Sequence, residues 1–436
     1  MSMFWDANNE TLDRNSLEKL QLRLLQKTVE RARQAPYYGE LFKKERITAD
    51  SIKSLNDLRR IPFITKDDLR DQYPYGFLAV PRDKIVRMHS SSGSTGKPTV
   101  IFHTMSDIRE WSGLIARCMY MTGVRESDVF QNMTGYGLFT GGLGFHYGAE
   151  QLGAMVIPVG AGNTKRQIML MREFETSVIH IIPSYALHFI KSLQEAGIDP
   201  KSEFKLRIAY LGAEPHSDET RLRVEAALGV QAFNSYGLSE MNGPGVAFEC
   251  TQKHGMHVWE DNFLIELINP TTLEPVKEGE DGEIVFTTLK REGMPLLRYR
   301  SKDIAAVITE PCPCGRTHRR LTRIKGRTDD MLIVKGVNMY PVQIEKTLMA
   351  IPQVGSNYLI QLEHKDYNDH MIVKVEVQAE MFHGDMKELQ TLRKTITESL
   401  RSELLVTPEV ELVEPGTLPQ SEGKAVRVVD NRKQWG

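Results

Sequence analysis

The sequence predicts an α/β fold with two domains: a large N-terminal domain of mixed sheets and helices, then a small α+β domain. The chain has 436 residues, which exceeds the size of one ordinary hydrophobic core. From about Lys84 onward, short apolar runs alternate with helical segments, a pattern typical of layers around buried parallel strands. After Gly326 and Arg327 the pattern changes to that of a small α+β domain. We therefore expect domains at residues 1–327 and 328–436.

The N-terminal domain is expected to begin with helices. Residues 16–33 carry a leucine stripe at helical spacing, Pro36 is expected to end that helix, and Thr65 precedes a new helix start. The strand-like runs that follow are 86–89, 155–159, 178–182, 206–211 and 232–234, and the helical segments between them include 105–121 and 164–173. A more antiparallel region is indicated at 263–268 and 282–288. In the C-terminal domain the predicted helices are 344–351 and 389–404, and the predicted strands are 358–361, 371–377 and 410–413.

Composition excludes several classes of protein. The net charge of −2 provides no footprint for a polyanion, so no nucleic-acid partner is expected. The N-terminus carries Asp6 and Glu10 instead of a basic and then apolar run, so no secretory signal is expected. No apolar stretch of about 18 residues exists, so no membrane partner is expected. Four cysteines in so long a chain do not indicate a disulfide framework, which favours a cytoplasmic location.

A run of small residues with one lysine follows the first strand-like run. Small residues allow backbone N–H groups to approach an anion, and the hydroxyls and the lysine add donors and charge, so the run favours phosphate binding. It is not a Walker A loop, because Ser91 stands where that loop needs a glycine. A flexible surface turn is the alternative. The run consists of Ser90, Ser91, Ser92, Gly93, Ser94, Thr95, Gly96 and Lys97.

An aromatic residue follows the strand-like run 232–234. Tyr236 is suited to stack on a nucleobase, while the hydroxyl of Ser239 and the carboxylate of Glu240 are suited to reach phosphate and Mg²⁺. For this motif in isolation, a strand–turn–helix junction with Ser239 as the helix cap is the preferred interpretation. The nucleotide-binding candidates of this segment are Asn234, Ser235, Tyr236 and Gly237.

Further segments are candidates of the same kind. Asp303 is suited to accept hydrogen bonds from two ribose hydroxyls, because a carboxylate is an acceptor only. Ordinary turns, a linker or a polar tail loop are the alternatives. The segments are 211–215, 298–303, 326–330 with 335–341, and 419–424.

The order and spacing of these motifs resemble those of adenylate-forming enzymes, the superfamily of acyl-CoA synthetases, peptide-synthetase adenylation domains and luciferases. The resemblance runs from about Met88 to Lys424. The segments 35–38, 243–245 and 255–261 resemble the phenylacetate–CoA ligase family in particular. One departure is Ser239, where a threonine is usual in the superfamily, although both residues carry a hydroxyl.

The resemblance implies an AMP-forming acid–thiol ligase that joins an aryl acetic acid, with phenylacetate favoured, to CoA at the expense of ATP. It implies the cofactors ATP, Mg²⁺ and CoA, and a homodimer. Residues 90–97 would hold the ATP phosphates, and Tyr236 would stack on adenine. The other implied nucleotide-binding residues are Gly212, Ala213, Glu214, Pro215, Asp303 and Arg327, and the implied catalytic residues are Lys424, Glu240 (with Mg²⁺) and Ser239.

The small C-terminal domain is implied to be mobile, with a hinge at Asp329. Lys424 would neutralise charge at the α-phosphate in the first step, and a loop would then face CoA in the second. That loop contributes Lys335, Gly336, Asn338 and Tyr340. Without the upstream motifs, an exposed tail lysine is the preferred reading of Lys424. Two other functions stay open: transfer to a non-CoA acceptor, and a non-catalytic nucleotide sensor on the same fold.

An aromatic and glycine-rich stretch resembles the aryl-pocket segment of the family in its position. Flat aromatic side chains suit an aryl ring. A packed loop under a sheet is the alternative. The predicted pocket residues are Tyr136, Phe139, Thr140, Gly141 and Phe145.

Three of the four cysteines fall in two places that suit a metal. Zn²⁺ prefers four tetrahedral sulfur and nitrogen ligands, and a closed set of that kind is structural. The predicted zinc ligands are Cys250, His257, Cys312 and Cys314, with His254 and His318 as alternatives for the nitrogen ligand. Unpaired thiols are the competing interpretation. Cys118 lies in a helical apolar stripe and is expected in the core.

Overall fold

The structure is a computed structural model that describes residues 3–91, 98–365, 368–382, 386–419 and 425–432. The α-helices of these residues are α1 (Ala7–Glu10), α2 (Arg14–Ala32), α3 (Pro36–Glu45), α4 (Lys66–Asp71), α5 (Met105–Met121), α6 (Thr140–Leu152), α7 (Thr164–Glu173), α8 (Pro183–Glu195), α9 (Pro200–Glu203), α10 (Asp218–Leu228), α11 (Pro341–Met349) and α12 (Met386–Leu404). Short 3₁₀ helices lie at Ala49–Ser51, Leu55–Arg60, Arg82–Lys84, Ser239–Met241 and Ala379–Phe382.

The strands alternate with these helices in the first half of the chain and cluster in the second. They are β1 (Ile85–Ser90), β2 (Val100–Thr104), β3 (Val129–Asn132), β4 (Met155–Ile157), β5 (Val178–Ile181), β6 (Ile208–Gly212), β7 (Gln231–Leu238), β8 (Gly243–Glu249), β9 (Met256–Val258), β10 (Phe263–Ile268), β11 (Gly282–Thr288), β12 (Tyr299–Ala305), β13 (Val307–Ile308), β14 (Arg320–Leu321), β15 (Gly326–Arg327), β16 (Leu332–Val334), β17 (Val337–Met339), β18 (Val354–Lys365), β19 (Asn368–Val377), β20 (Glu409–Val413) and β21 (Val428–Asp430). The predicted α/β fold class is confirmed.

Local sequence explains where the helices begin. The Thr104 hydroxyl accepts a hydrogen bond from the Asp107 N–H, and the Asp107 carboxylate accepts one from the Thr104 N–H, so a capping box starts α5 at the predicted residue. Pro36 does not end the first long helix as predicted. The helix α2 has already ended at Ala32, and Pro36 is the first residue of α3, where its missing N–H costs nothing.

The chain divides into two compact units. The first unit consists of Met1–Gly160 and Phe233–Ile324. In it, β7, β8, β9, β14 and β13 form an antiparallel ladder, and β10, β11 and β12 form another. The helices α5 and α6 pack on each other and on β8, and Trp111, Phe145 and Phe248 are buried among them. This unit holds most of β7, the strand that carries the predicted nucleotide-binding residues 234–237.

The second unit consists of Ala161–Ala232 and Lys325–Gly436. The parallel pair β5 and β6 leads into α10, and a mixed sheet in the order β20, β19, β18, β21 supports α11 and α12. The helix α12 buries Leu392, Ile396, Leu400 and Leu404, a four-residue spacing that places them on one face. The domain boundary that we predict after Arg327 stays a prediction.

Among the residues that the structure describes, no helix combines the length and the hydropathy that a membrane crossing would need.

Candidate active site

Two predicted nucleotide-binding residues meet in the first unit. The Tyr236 hydroxyl donates a hydrogen bond to Asp303 Oδ2 at 2.6 Å, although the two residues are 67 positions apart. Both side chains are buried, and the Tyr236 ring stacks on Phe286 with 6.2 Å between ring centroids. The Asp303 N–H donates to the Ser301 hydroxyl at 3.1 Å, which fixes the backbone beneath the carboxylate. An aromatic ring and an acceptor-only carboxylate are thereby held as one group.

A second pair of predicted residues follows directly in the 3₁₀ helix Ser239–Met241. The Ser239 hydroxyl lies 3.3 Å from the Thr140 hydroxyl, a residue from the predicted acyl pocket. The Glu240 side chain is 8% exposed, and its carboxylate lies 3.9 Å from Lys66 Nζ. Arg291 is buried and donates to the Glu240 carbonyl at 2.5 Å, which fixes the backbone of this turn.

Sequence reasoning missed Lys66 and Arg291. Lys66 is the first residue of α4, and the sequence indicated only that a helix starts after Thr65. Arg291 lies in no motif, and only its burial and its bonds around the Glu240 turn identify it. A lysine near an acidic candidate 174 positions away leaves no local signal in a sequence.

A glycine is required at the end of β7. A Cβ atom on Gly237 would lie 1.7 Å from the Gly243 carbonyl oxygen, well inside any permitted contact. Gly243 has a φ of +93°, and a Cβ atom there would meet the Thr140 side chain. A side chain at either glycine would therefore block the close backbone packing beside Ser239 and Thr140. Asn234 and Ser235 are buried in β7 upstream of this turn.

The predicted phosphate-binding run is described only at its first two residues. The Ser91 hydroxyl accepts a hydrogen bond from the Thr99 N–H at 3.2 Å and lies 2.8 Å from the Thr99 hydroxyl, just beyond the last residue pair of the β1–β2 hairpin on its loop side. The Leu138 carbonyl accepts from the Ser90 N–H at 3.0 Å, and His89 Nδ1 lies 3.0 Å from the same oxygen. The last residues of β1 therefore contact the stretch 136–145, which contains the predicted acyl-pocket residues. The residues outside the described part are Ser92, Gly93, Ser94, Thr95, Gly96 and Lys97.

Tyr136 is the centre of a polar chain within the predicted acyl pocket. Its hydroxyl accepts from Asn132 Nδ2 at 3.0 Å and lies 3.2 Å from His146 Nδ1, and His146 Nε2 lies 3.0 Å from a Glu150 oxygen. Burial raises the pKa of Tyr136 to about 12, so its hydroxyl stays protonated at neutral pH. The ring orientation of Tyr136 is therefore fixed by hydrogen bonds.

The other predicted pocket residues differ in their exposure. Phe139 is 52% exposed, and Thr140 and Gly141 form the first turn of α6. Phe145 is fully buried and contacts the rings of Phe130 and Phe248. The structure places Phe145 in the hydrophobic core, and its role in the acyl pocket stays a prediction.

In the second unit, the segment Gly212, Ala213, Glu214 and Pro215 begins at the last residue of β6. Ala213 has a φ of +69°, which is uncommon for a residue with a Cβ atom and is often associated with function. The Glu214 carboxylate accepts from the Ser184 N–H and hydroxyl at 3.1 and 3.0 Å, and from the Ala425 N–H at 2.6 Å. Lys424, the predicted adenylation lysine, lies outside the described residues.

The predicted hinge and CoA loop also lie in the second unit. Arg327 and Asp329 form a bidentate pair with N–O distances of 2.9 and 3.1 Å. Lys335 and Gly336 both have positive φ and form the two-residue turn between β16 and β17, as a tight hairpin requires. The remaining loop candidates are the exposed Asn338 and the half-buried Tyr340.

The four predicted zinc ligands meet in the first unit. The candidate ligand atoms of Cys250, His257, Cys312 and Cys314 all lie within 4.8 Å of one another, and all four residues are buried. The Cys250 and Cys312 sulfurs are 3.7 Å apart, and Cys314 Sγ is 3.3 Å from His257 Nε2.

The neighbours of this cluster favour His257 over the two alternative histidines. His257 Nδ1 lies 3.2 Å from the His318 carbonyl, which only accepts, so Nδ1 carries the hydrogen and Nε2 is left with its lone pair. His318 and His254 direct their ring nitrogens elsewhere, with Nε2 of His318 at 2.8 Å from the Asn9 carbonyl and Nδ1 of His254 at 3.1 Å from Arg320.

Comparison with known proteins gives a consistent picture. The family model of AMP-binding enzymes matches residues 27–289, and the model of their C-terminal domain matches residues 336–432. A phenylacetate–coenzyme A ligase of Thermus thermophilus is 44% identical over 99% of this chain and 100% of its own length.

Solved structures of a 2-hydroxyisobutyryl-CoA ligase also match, with 29% identity over 99% of this chain and 93% of theirs. The TM-score is 0.94 for its postadenylation state in complex with 2-HIB-AMP. It is 0.73 for its thioesterification state in complex with 2-HIB-AMP and CoA.

The family model spans more than half of the chain, and the Thermus relative aligns with nearly all of it. The resemblance drawn from the motifs is confirmed, as is the predicted enzyme class, an AMP-forming acid–CoA ligase. Enzymes of this class use ATP and CoA. The chain belongs to the AMP-binding enzymes and, among them, to the phenylacetate–CoA ligase family.

Proposed function

We propose that this chain activates phenylacetate with ATP and transfers the phenylacetyl group to CoA, with AMP and pyrophosphate as the other products. The observation that carries the proposal is the buried hydrogen bond between Tyr236 and Asp303. Tyr236 lies four positions before Glu240, whose carboxylate is also buried. The name of the Thermus thermophilus relative supports the choice of acid and acceptor.

In this proposal the nucleotide lies against the end of β7. Tyr236 stacks on adenine, and Asp303 accepts hydrogen bonds from the ribose hydroxyls. Because each side chain already holds the other, little conformational freedom is lost when the nucleotide binds. The segment 212–215 and Arg327 keep their predicted roles in nucleotide binding, and residues 90–97 are proposed to hold the phosphates.

Two displacement steps follow from this arrangement. The substrate carboxylate attacks the α-phosphorus of ATP, the bond from that phosphorus to the bridging oxygen breaks, and pyrophosphate leaves. The CoA thiolate then attacks the acyl carbon, its bond to the adenylate oxygen breaks, and AMP leaves. Lys424 and the Ser239 hydroxyl stabilise charge on the phosphate in the first step.

Glu240 fits a role as the Mg²⁺ ligand. Its carboxylate is buried, and the ion pair that the structure gives it, with Lys66, is long at 3.9 Å. Carboxylate oxygens are the ligands that Mg²⁺ prefers, and the ion, when bound, offsets the negative charge of the phosphates.

The acyl pocket is proposed to be lined by Tyr136, Phe139, Thr140 and Gly141. The half-buried Tyr136 ring, held by Asn132 and His146, provides a flat wall for an aryl ring. The contact between the Thr140 and Ser239 hydroxyls supports a pocket next to the residue that is proposed to contact phosphate.

The substrate is tested with a panel of acids: phenylacetate, 4-hydroxyphenylacetate, indoleacetate, benzoate and hexanoate, each with Mg-ATP and CoA. We expect thioester formation with phenylacetate to have the highest kcat/KM, by about tenfold or more over hexanoate, because a flat pocket loses aromatic contacts with an alkyl chain. A higher kcat/KM for benzoate or hexanoate would contradict the choice of acid. Adenylate formation without thioester would indicate another acceptor.

A structural zinc ion in the first unit is part of the proposal. Tetrahedral zinc with Zn–S bonds of about 2.3 Å and Zn–N bonds of about 2.0–2.1 Å has ligand–ligand distances of about 3.5–3.8 Å. The two distances in the cluster, 3.7 and 3.3 Å, are close to these values. The four residues would hold the ion in a closed set that leaves no position for substrate.

Several residues of the second unit are proposed to act in the movement of the C-terminal domain and in CoA binding. Asp329 is proposed as the hinge of a mobile C-terminal domain, residues 328–436, and its pair with Arg327 joins the hinge to a nucleotide-binding residue. The turn at Lys335 and Gly336 is proposed to face CoA, together with Asn338 and Tyr340. A cytoplasmic location and a homodimer stay predictions.

A further inference from the structure

Two helices of the second unit, α10 and α11, each direct a charged side chain to an end of the other helix. Glu345 projects from α11 to the start of α10, where its Oε1 accepts hydrogen bonds from the Ser217 N–H at 3.0 Å and the Thr220 hydroxyl at 2.5 Å. Ser217 is the N-cap residue of α10, so the carboxylate lies at the positive end of that helix dipole.

Arg223 makes the reciprocal contact from α10 to the end of α11. Its guanidinium donates to the carbonyls of Met349, Ile351 and Val354 at 2.7, 2.6 and 3.0 Å. Met349 is the last residue of α11, so the positive charge lies at the negative end of that helix dipole. We call this pair of contacts, Arg223 with α11 and Glu345 with α10, the helix clasp.

Packing two helices through buried charged groups costs desolvation free energy. Burial raises the pKa of the Glu345 carboxyl and lowers the pKa of the Arg223 guanidinium, so each charge is opposed by its surroundings. Apolar residues of similar size would often stabilise such a contact as well or better. Polar contacts with fixed donors and acceptors instead define one relative position of α10 and α11.

A second contact links the same two parts of the unit. The Glu214 carboxylate lies four residues before the start of α10 and accepts from the Ala425 N–H at 2.6 Å. Glu214 belongs to the segment that is proposed to contact adenine, and Ala425 directly follows the proposed adenylation lysine. The clasp and this bond therefore fix the C-terminal segment to the strand–helix segment that carries Glu214.

We infer that Arg223 and Glu345 are positioning residues for the adenylation step. In this inference the clasp holds the C-terminal segment on α10 while the adenylate forms, and it opens for thioester formation. The inference rests on the proposed function, because it needs two half-reactions that can be measured separately. Neither residue touches substrate; each acts through the position of the other helix.

The test compares the two half-reactions in Arg223→Met, which keeps the length of the side chain and removes its charge and donors. We expect the rate of ATP–pyrophosphate exchange with the acid to fall by about tenfold or more, as for lost charge-assisted hydrogen bonds. Thioester formation from supplied acyl-adenylate and CoA should stay within about twofold of the wild-type rate. Glu345→Ala should behave in the same way, and Glu345→Gln, which keeps an acceptor oxygen, should retain more exchange activity.

The matched control is Arg172→Met. Arg172 lies on α7 of the same unit, and its side chain is 50% exposed in a surface pair with Glu203. A surface pair contributes little, so both half-reactions should be unchanged in this variant. Amide hydrogen exchange of residues 341–354 should rise in Arg223→Met and not in Arg172→Met.

The results distinguish a failure of the inference about Arg223 and Glu345 from a failure of the proposed function. Unchanged exchange in Arg223→Met and Glu345→Ala would overturn the inference, and so would a parallel fall of both half-reactions, which would indicate general loss of structure. If wild-type protein shows neither half-reaction with any acid, the proposed function fails first, and the hydrogen-exchange comparison still tests whether the clasp exists.

Discussion

Replacing Lys424 by alanine is expected to lower the rate of adenylate formation by about 10²–10³-fold, the usual cost of removing a charge-stabilising donor from a transition state. The first step places negative charge on the α-phosphate, and the proposed role of Lys424 is to neutralise that charge. The second step breaks a bond at the acyl carbon, where the lysine has no proposed role. Thioester formation from supplied phenylacetyl-adenylate and CoA should therefore stay within about threefold of the wild-type rate. ATP–pyrophosphate exchange and a thioester assay measure the two steps separately.

Lys394→Ala is the matched control for this variant. Lys394 lies on α12 of the same unit, and its side chain is 75% exposed beside Glu398. Both half-reactions should be unaffected, because an exposed pair contributes little. Survival of both half-reactions in Lys424→Ala would show that the catalytic assignment of Lys424 is wrong.

The second large effect concerns the cysteine–histidine cluster. Protein purified without chelator should contain one zinc ion per chain, and Cys314→Ser should lose most of it, because a hydroxyl is a poor replacement for a thiolate ligand. When the free zinc concentration is a thousand times the dissociation constant of the site, zinc binding stabilises the folded state by about 4 kcal/mol. The variant should therefore unfold at a clearly lower temperature in a thermal scan, and added zinc should not restore the wild-type value.

The control for the zinc prediction is Cys118→Ala. Cys118 is buried outside the cluster, where its sulfur accepts a hydrogen bond from Trp259 Nε1 at 3.2 Å. This variant loses packing and a hydrogen bond but should keep its zinc. Wild-type protein with less than about a tenth of a zinc ion per chain would exclude the proposed site, whatever the stability of the variants.

Much of the fold follows from local sequence. The capping residues Thr104 and Asp107 define the start of α5, and alternation of apolar runs and helices predicts the α/β class. Strand ends are less well defined by sequence. β7 continues to Leu238, four residues beyond the predicted run, because Tyr236 and Gly237 still pair with β8 through a bulge. Polar residues and glycines at the end of an apolar run predict a turn, and only the pairing with a neighbouring strand shows that the strand continues.

Some features of the candidate site could likewise be predicted from the sequence, and others could not. The cysteine cluster could be predicted from ligand chemistry, since few residue types bind zinc. The assignment of Tyr236 and Asp303 to one nucleotide site depended on resemblance to a family, and their hydrogen bond was not predicted, because no pattern links residues 67 positions apart. The clasp had no signal at all: Arg223 lies 126 positions before Met349 and belongs to no motif. Charges that act on helix ends become visible only when the helices are seen to meet.

The central claim, an acyl-adenylate intermediate, is tested most directly with phenylacetate that carries ¹⁸O in both carboxylate oxygens. Attack of the carboxylate on the α-phosphorus, followed by cleavage of the acyl carbon–oxygen bond, transfers one substrate oxygen to AMP. Mass spectrometry of the products should therefore show AMP with one ¹⁸O, pyrophosphate with none, and phenylacetyl-CoA with one. Unlabelled AMP, or ¹⁸O in phosphate with ADP as the nucleotide product, would contradict the account.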